Sequence, residues 1–432
     1  MGKTAERPSD SRYNPCVDPN EHAVELLRAG PVCNHCLGQQ FAQIGHGLTG
    51  EERGRLVRAL ARPAVQGAEL GTSPCWVCGD VFGHVPKWAE RAVELLADHE
   101  LSTFLFGVRL SPRLEATQEF LAERFPSRWA EPVRRELNRC LGREFERVLA
   151  REKRSATVDF THPDVRFTVD LERGSVDMQV APLFFSGRYR KLARGIPQTH
   201  WPCRECRGRG CSTCEGSGKQ YPESVEELVV PHFVEACGGT GGKLHGAGRE
   251  DVDARMLGRG RPFVVQVVEP RRRTVDLNAI TTQIRDSASG KVEVLELTPA
   301  APSTVEKVKA ERADKRYRMQ VDFDAPVSAG ALEQALQLLV GPINQRTPER
   351  VRHRRADLVR PRKVHSAAGQ LHSPTEAQVE FLCEGGLYVK ELVSGDQGST
   401  EPNLSGLLGV KSRVSELDVL EVLDETTGHT ST

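Results

Sequence analysis

Apolar residues recur along this chain with two periods, and the switch between them marks its elements. Residues 132 to 149 put Val133, Leu137, Leu141, Phe145, Val148 and Leu149 on one face at helical spacing, which predicts an amphipathic helix. Strict alternation follows: Val165, Phe167, Val169 and Leu171 point one way, then Val176, Met178 and Val180, with Glu172-Arg173-Gly174 as the turn of a hairpin. Tyr317, Met319, Val321 and Phe323 share one face of another strand, and the almost unbroken run Phe263 to Val268 reads as a strand buried on both sides. Further strands are expected at 292–297, around Val379, Phe381 and Cys383, and at 416–423. Helices are expected over 21–28, from the capping box Ser224–Glu227 onward with Pro231 as a kink, and around Leu332, Leu336 and Leu339.

A chain of 432 residues is too long for one ordinary core, so two or three domains are expected. Its 59 Lys and Arg balance 59 Asp and Glu, which on average argues against a nucleic-acid partner. Clustering changes that picture. In the segment FFSGRYRKLARG, Arg188, Arg190, Lys191 and Arg194 surround Tyr189, a mixture suited to an RNA backbone and a stacked base. Arg346 to Lys363 holds eight Arg or Lys, among them Arg352, Arg354 and Arg355, against two acids, and that density points to an anionic partner. Arg135, Arg139 and Arg143 form a stripe best read as solvated helix surface. The start of the chain is polar and no apolar run approaches bilayer length, so a cytoplasmic protein without membrane contact is expected.

Eight of the twelve cysteines fall in four Cys-x-x-Cys pairs. Two thiolates on a tight turn reach one tetrahedral ion, so the spacing favours structural zinc over a disulfide framework. Cys33, Cys36, Cys75 and Cys78 make one candidate site, with His35 a bystander between stronger ligands. Cys203, Cys206, Cys211 and Cys214 make a second, which resembles the Cys-x-x-Cys-x-Gly-x-Gly repeat of the DnaJ chaperone zinc region.

The segment GGTGGKLHGAGRED crowds six glycines ahead of Asp251, which suggests a loop of unusual backbone freedom carrying a carboxylate. It is not a phosphate-binding P-loop, because Leu244 follows Gly242-Lys243 and Cys237 stands where the first glycine belongs. Tyr317 at the head of a strand and Lys390 after Gly385-Gly386 supply a flat face and a cation. A carboxylate beside a cation and an aromatic ring is what work on a flipped-out base requires.

Ala247-Gly-Arg-Glu-Asp251 resembles the Gly-Arg-x-Asp signature of pseudouridine synthases. The longer GREDVDARMLGRGRPF is similar to the form found in the THUMP-containing tRNA pseudouridine synthases that act at positions 54 and 55 of the TΨC loop. Gln198-Thr-His-Trp201, the second cysteine quartet, the 345–355 segment and GLYVKELVSGDQGSTEPNL resemble that family in the same order. The resemblance implies an α+β protein: a zinc-binding module (1–83), a THUMP-type RNA-binding domain (84–200), a Cys- and Gly-rich insert (201–222) and a catalytic domain (223–432) with a mixed, largely antiparallel central sheet. It further implies Asp251 as catalytic aspartate, Tyr317 as the ring stacked on the target uracil and a candidate for taking the C5 proton, and Lys390 as the basic partner of Asp251. Arg249 and Tyr388 are implied RNA contacts, and Asp253 a structural or RNA-positioning residue. Gln266 and Ser399 depart from the family pattern, where an acid and an Arg are usual. The partner is then tRNA, no organic cofactor is needed, and no obligate protein partner is evident. Two other readings stand beside this one: another THUMP-containing tRNA-modifying enzyme, and a non-catalytic RNA-binding or chaperone-like zinc protein.

Overall fold

The computed structural model describes residues 18–65, 71–352 and 356–423. They form two compact units, Met1–Ala181 and Pro182–Thr432. Arg354 and Arg355 lie outside the described residues.

In the first unit the helix Val133–Arg151 forms where the apolar stripe predicts it. It covers a sheet of β1 (Thr103–Arg109), β2 (Thr157–Val158), β3 (Val165–Asp170) and β4 (Ser175–Val180) in the order β2-β1-β3-β4. The predicted hairpin is β3–β4, and β1 runs parallel to β3. Phe104, Phe106, Phe145 and Phe167 interlock at centroid separations of 4.7 to 5.9 Å, joining helix to sheet through buried rings. One core extends from Ala23 to Val176, so the helices Pro19–Arg28, Asn34–Gln39 and Gly50–Ala61 belong to it. Of the arginine stripe, Arg139 is not free surface, because it bonds Glu131 and Glu136.

The second unit is built on β5 (Leu183–Lys191), β6 (Gly241–Gly246), β7 (Ala254–Val268), β8 (Val292–Ala300), β9 (Asp314–Phe323), β10 (Gly341–Arg346), β11 (Val359–Ser373), β12 (Glu376–Cys383), β13 (Thr400–Glu401) and β14 (Ser412–Leu423). Their order is β13-β10-β11-β12-β9-β14-β7-β5-β8, with β6 added on β7. Only β14 and β7 run parallel, so the sheet is mixed and largely antiparallel. Because β5 pairs with β7 and β8, the stretch 183–191 belongs to this sheet, although the sequence expectation placed it in the RNA-binding domain.

β7 explains the continuous apolar run at 263–268. Phe263, Val265 and Val267 face the helices Val225–Cys237 and Leu277–Ser287, whereas Val264 packs on the other side with Phe184, Ala247 and Val308. A strand covered on both faces has no polar side to show. β7 also changes partner along its length. Ala254 to Met256 pairs with β14, while Phe263 to Val268 pairs with β6. Gly260 (φ 76°) lies between these halves, and a Cβ there would stand 2.4 Å from the Tyr189 carbonyl oxygen. The connection 247–253 therefore emerges where the sheet opens between β6 and β14.

The glycine-rich stretch is a correction to the sequence reading. Gly241 to Gly246 is strand, not loop, and Gly242 is there for contact: its Cβ would meet Val230 Cγ1 at 2.6 Å. Between β6 and β7 the connection is confined to 247–253.

Candidate active site

The connection 247–253 is held from below by buried polar side chains. Glu250 turns inward and forms an ion pair with Arg261 from β7 at 2.9 Å, the two side chains being 0% and 2% exposed. Tyr189 from β5 donates its hydroxyl to Glu250 at 2.8 Å, and Gln198 donates to the Tyr189 hydroxyl at 2.9 Å and to the Gly248 carbonyl at 3.1 Å. Arg261 Nη1 donates to the Ala247 carbonyl at 2.5 Å. Lys191, fully buried, donates from Nζ to the carbonyls of Ile196, Asp251 and Val252 at 2.7, 3.1 and 3.1 Å. Burial pulls the Lys191 ammonium below the usual lysine range, and burial together with the Glu250 charge pushes the Tyr189 phenol well above its ordinary value. A connection with this many fixed partners is not free to move, so the expectation of a flexible loop gives way to a pinned one.

The same bonds correct three RNA-binding assignments. Arg188 is buried and donates to the carbonyls of Arg259 and Gly260 at 3.1 Å, tying β5 to the bend in β7. Tyr189 and Lys191 are buried in the network just described, so neither presents a face to an RNA. Arg190 pairs with Glu293 on β8. The cluster is basic because it carries the internal hydrogen bonds of the second unit.

With Glu250 pinned inside, its neighbours surface. Arg249 is exposed. Asp251 presents its carboxylate to two cations: Arg350 Nη1 at 3.0 Å from Oδ1, and Lys390 Nζ at 3.3 Å from Oδ2. Lys390 also bonds Asp253 at 2.7 and 2.8 Å, and this charge outweighs burial to hold the Asp253 carboxyl below its usual range. Lys390 comes from the first turn of the helix Val389–Ser394. Tyr317 stands on β9, largely buried between Phe381 and Val419, within reach of the Asp251 charge; burial above all pushes its phenol up. Tyr388 precedes the helix; Gln345 accepts from its backbone amide at 2.8 Å and donates to its carbonyl at 3.0 Å, and the Arg350 guanidinium lies 5.9 Å from its ring centroid.

The basic segment 346–363 divides on inspection. Arg346 is held by Asp357, Arg350 by Asp251 and Glu391, Arg360 by Thr347 and Arg362 by Glu384, whereas Arg352 is exposed at a groove of about 400 Å³ with Asn344, Asp396 and Ser399. Sequence reading gave Arg350, Glu391, Glu250 and Arg261 no role. The available signal was that Glu250 and Glu391 each adjoin a candidate catalytic residue, but nothing local pairs them with cations far along the chain.

The two cysteine quartets each gather four sulfurs within 4.8 Å of one another. Cys33 and Cys78 sulfurs are 3.7 Å apart, and the second quartet shows separations of 3.7, 3.8 and 3.9 Å. A zinc tetrahedron with Zn–S of about 2.3 Å has edges of about 3.8 Å, whereas a disulfide needs about 2 Å. Backbone amides of Cys36, Gly210 and Gly218 point at sulfurs of Cys33, Cys206 and Cys214 at 3.2 to 3.4 Å, as thiolate ligands require. Both donor sets fit a tetrahedral metal ion. His35 bonds Glu136 at 3.3 Å and takes no place among the sulfurs. No helix among the described residues is long and apolar enough to cross a membrane.

Removing one partner of the Glu250–Arg261 pair strands the other charge. Arg261→Met is expected to cost about 3–5 kcal/mol of stability, and Arg261→Met with Glu250→Gln less than Arg261→Met alone. Urea denaturation of these two variants and of Glu250→Gln alone checks this, and simple additivity of the two single losses would contradict it.

Residues 184–423 match the family model described as Pus10, C-terminal, and residues 88–170 match Pus10 THUMP domain, archaeal. The chain is 45% identical to the tRNA pseudouridine synthase Pus10 of Methanothrix thermoacetophila over 96% of its length and 97% of that protein. It is 46% identical to the Halorubrum lacusprofundi protein of the same name over 95% and 97% of the two chains, and 40% identical to that of Methanopyrus kandleri over 93% and 98%. Agreement of this extent over nearly whole chains settles the relationship: this chain belongs to the Pus10 family of tRNA pseudouridine synthases.

Proposed function

We propose that Asp251 is the carboxylate with which this enzyme isomerises a flipped-out uridine to pseudouridine at position 54, position 55 or both in the TΨC loop of tRNA. One observation carries the reading: Asp251 tips a pinned connection, with a cation on each oxygen. The base leaves C1′ as the N1–C1′ bond breaks, turns, and rejoins through C5; the C5 proton goes to solvent and N1 gains one. Asp251 attacks either C6 of the ring or C1′ of the ribose and is released again, by elimination from C6 after the C5–C1′ bond has formed or by displacement from C1′ as C5 bonds to it; both routes use the same carboxylate. Lys390 offsets its charge. Tyr317 serves as the stacking face and as the candidate to take the C5 proton on its way to solvent. Arg249, Arg352, Arg354, Arg355 and Tyr388 contact the RNA.

Both cysteine quartets hold structural zinc in this reading, which needs no organic cofactor. Reduced thiols suit the cytoplasm, where we place the enzyme.

Tritium release from unmodified tRNA carrying labelled uridine C5 tests the central assignment. Asp251→Asn is expected to abolish release while keeping tRNA affinity, and release at the wild-type rate would sink it. Elemental analysis tests the zinc reading: two ions per chain are expected, with one lost when either quartet is replaced by serines. A single ion in the unaltered protein would remove one site.

A further inference from the structure

Asp251 is gripped by a cation to which the function above gives no part. Arg350, in the turn Glu349–Val351, donates from Nη1 to Asp251 Oδ1 at 3.0 Å and gives Nε and Nη2 to Glu391 at 2.6 and 3.4 Å. Glu391 is 4% exposed and follows Lys390 on the same helical turn. Arg350 thus bridges a buried, fixed carboxylate and the reactive one, with the Tyr388 ring beneath it.

The two cations on Asp251 are not equivalent. Lys390 is a point charge already closer to Asp253, at 2.7 Å, than to Asp251, at 3.3 Å, so it offsets charge without dictating the carboxylate plane. A guanidinium whose other edge is locked to Glu391 is planar and directional. We propose that Arg350 is a positioning residue for the isomerisation: anchored by Glu391, it fixes the orientation of the Asp251 carboxylate toward the uridine. The proposal rests on Asp251 being the catalytic carboxylate. The other charged or titratable groups around Asp251 are Asp253 on the same connection, Lys191 beneath its carbonyl, Lys390 and Glu391 on the helix, and Tyr317 on β9. Of these groups, Glu391 alone holds Arg350.

Arg350 is also 43% exposed, so contact with an RNA phosphate is the competing role. Single-turnover pseudouridine formation and tRNA affinity across a salt series separate the two in the full chain. Arg350→Ala is expected to slow the chemical step by about 100-fold, with affinity and its salt slope unchanged. Arg350→Lys should recover only part of the rate, because an ammonium lacks the planar fork that fixes the direction of the carboxylate it meets. Glu391→Gln should slow the step in its own right and add nothing on top of Arg350→Ala. If Arg350→Ala turns over at the wild-type rate, or loses only affinity with a salt slope smaller by about one, the proposal is overturned and the second result makes Arg350 a phosphate contact. Full additivity of the Glu391 and Arg350 losses would likewise overturn the anchoring. Thermal melting identifies a variant that fails to fold; should Arg350→Ala fail, Arg350→Lys and Glu391→Gln carry the decision. Asp251→Asn in the same assay guards the premise: activity there would refute the reading of Asp251 rather than that of Arg350.

Discussion

The buried ion pair between Glu250 and Arg261 is the constraint on which the active site depends. Two charges taken out of water recover their desolvation cost only if nearly every donor and acceptor finds a partner. Here Tyr189, Gln198 and the Ala247 carbonyl supply those partners, and each comes from a different point along the chain. The result is a fixed inward anchor in the middle of a short connection. Since Glu250 points in, Arg249 and Asp251 are presented outward at a defined place. A catalytic carboxylate gains from this, because orientation set before the substrate arrives is not paid for during the reaction.

The sheet provides the room. β7 gives its first residues to β14 and its last to β6, and the connection 247–253 surfaces where those partners diverge. Lys390 and Glu391 reach the same spot from the helix Val389–Ser394, and Arg350 from the turn after β10. Each charged side chain is spoken for on at least two sides: Lys390 by two aspartates, Arg350 by Asp251 and Glu391. Asp251 is thereby restrained by a cation on each oxygen while its side chain stays partly exposed.

Much of this architecture is legible in sequence wherever one face of an element is buried. Helix Val133–Arg151 and strands β3, β9 and β12 follow from apolar periodicity, because burial imposes the period directly. The cysteine quartets are legible because metal spacing is local. The glycine-rich stretch misled, because a glycine count does not distinguish freedom from close contact; Gly242 is needed by Val230, not by a turn. The basic residues 188–191 misled for a related reason. Most of their partners, Glu250, Arg259, Asp251 and Val422 among them, lie roughly 60 to 230 positions away, so little nearby marks Arg188, Tyr189 and Lys191 as interior. Arg350 was equally hidden, one arginine among eight cations in a run where Arg346, Arg360 and Arg362 meet different partners.

In the proposed function, position and not merely negative charge makes Asp251 the reacting group. Substituting Asp251→Glu keeps the charge and moves the carboxylate outward by one methylene past a fixed backbone. Single-turnover conversion of uridine to pseudouridine in tRNA measures the consequence. A fall of about 100-fold or more with tRNA affinity retained is the result predicted, since a misplacement of about 1 Å is enough for such a loss; conversion near the wild-type rate would contradict it.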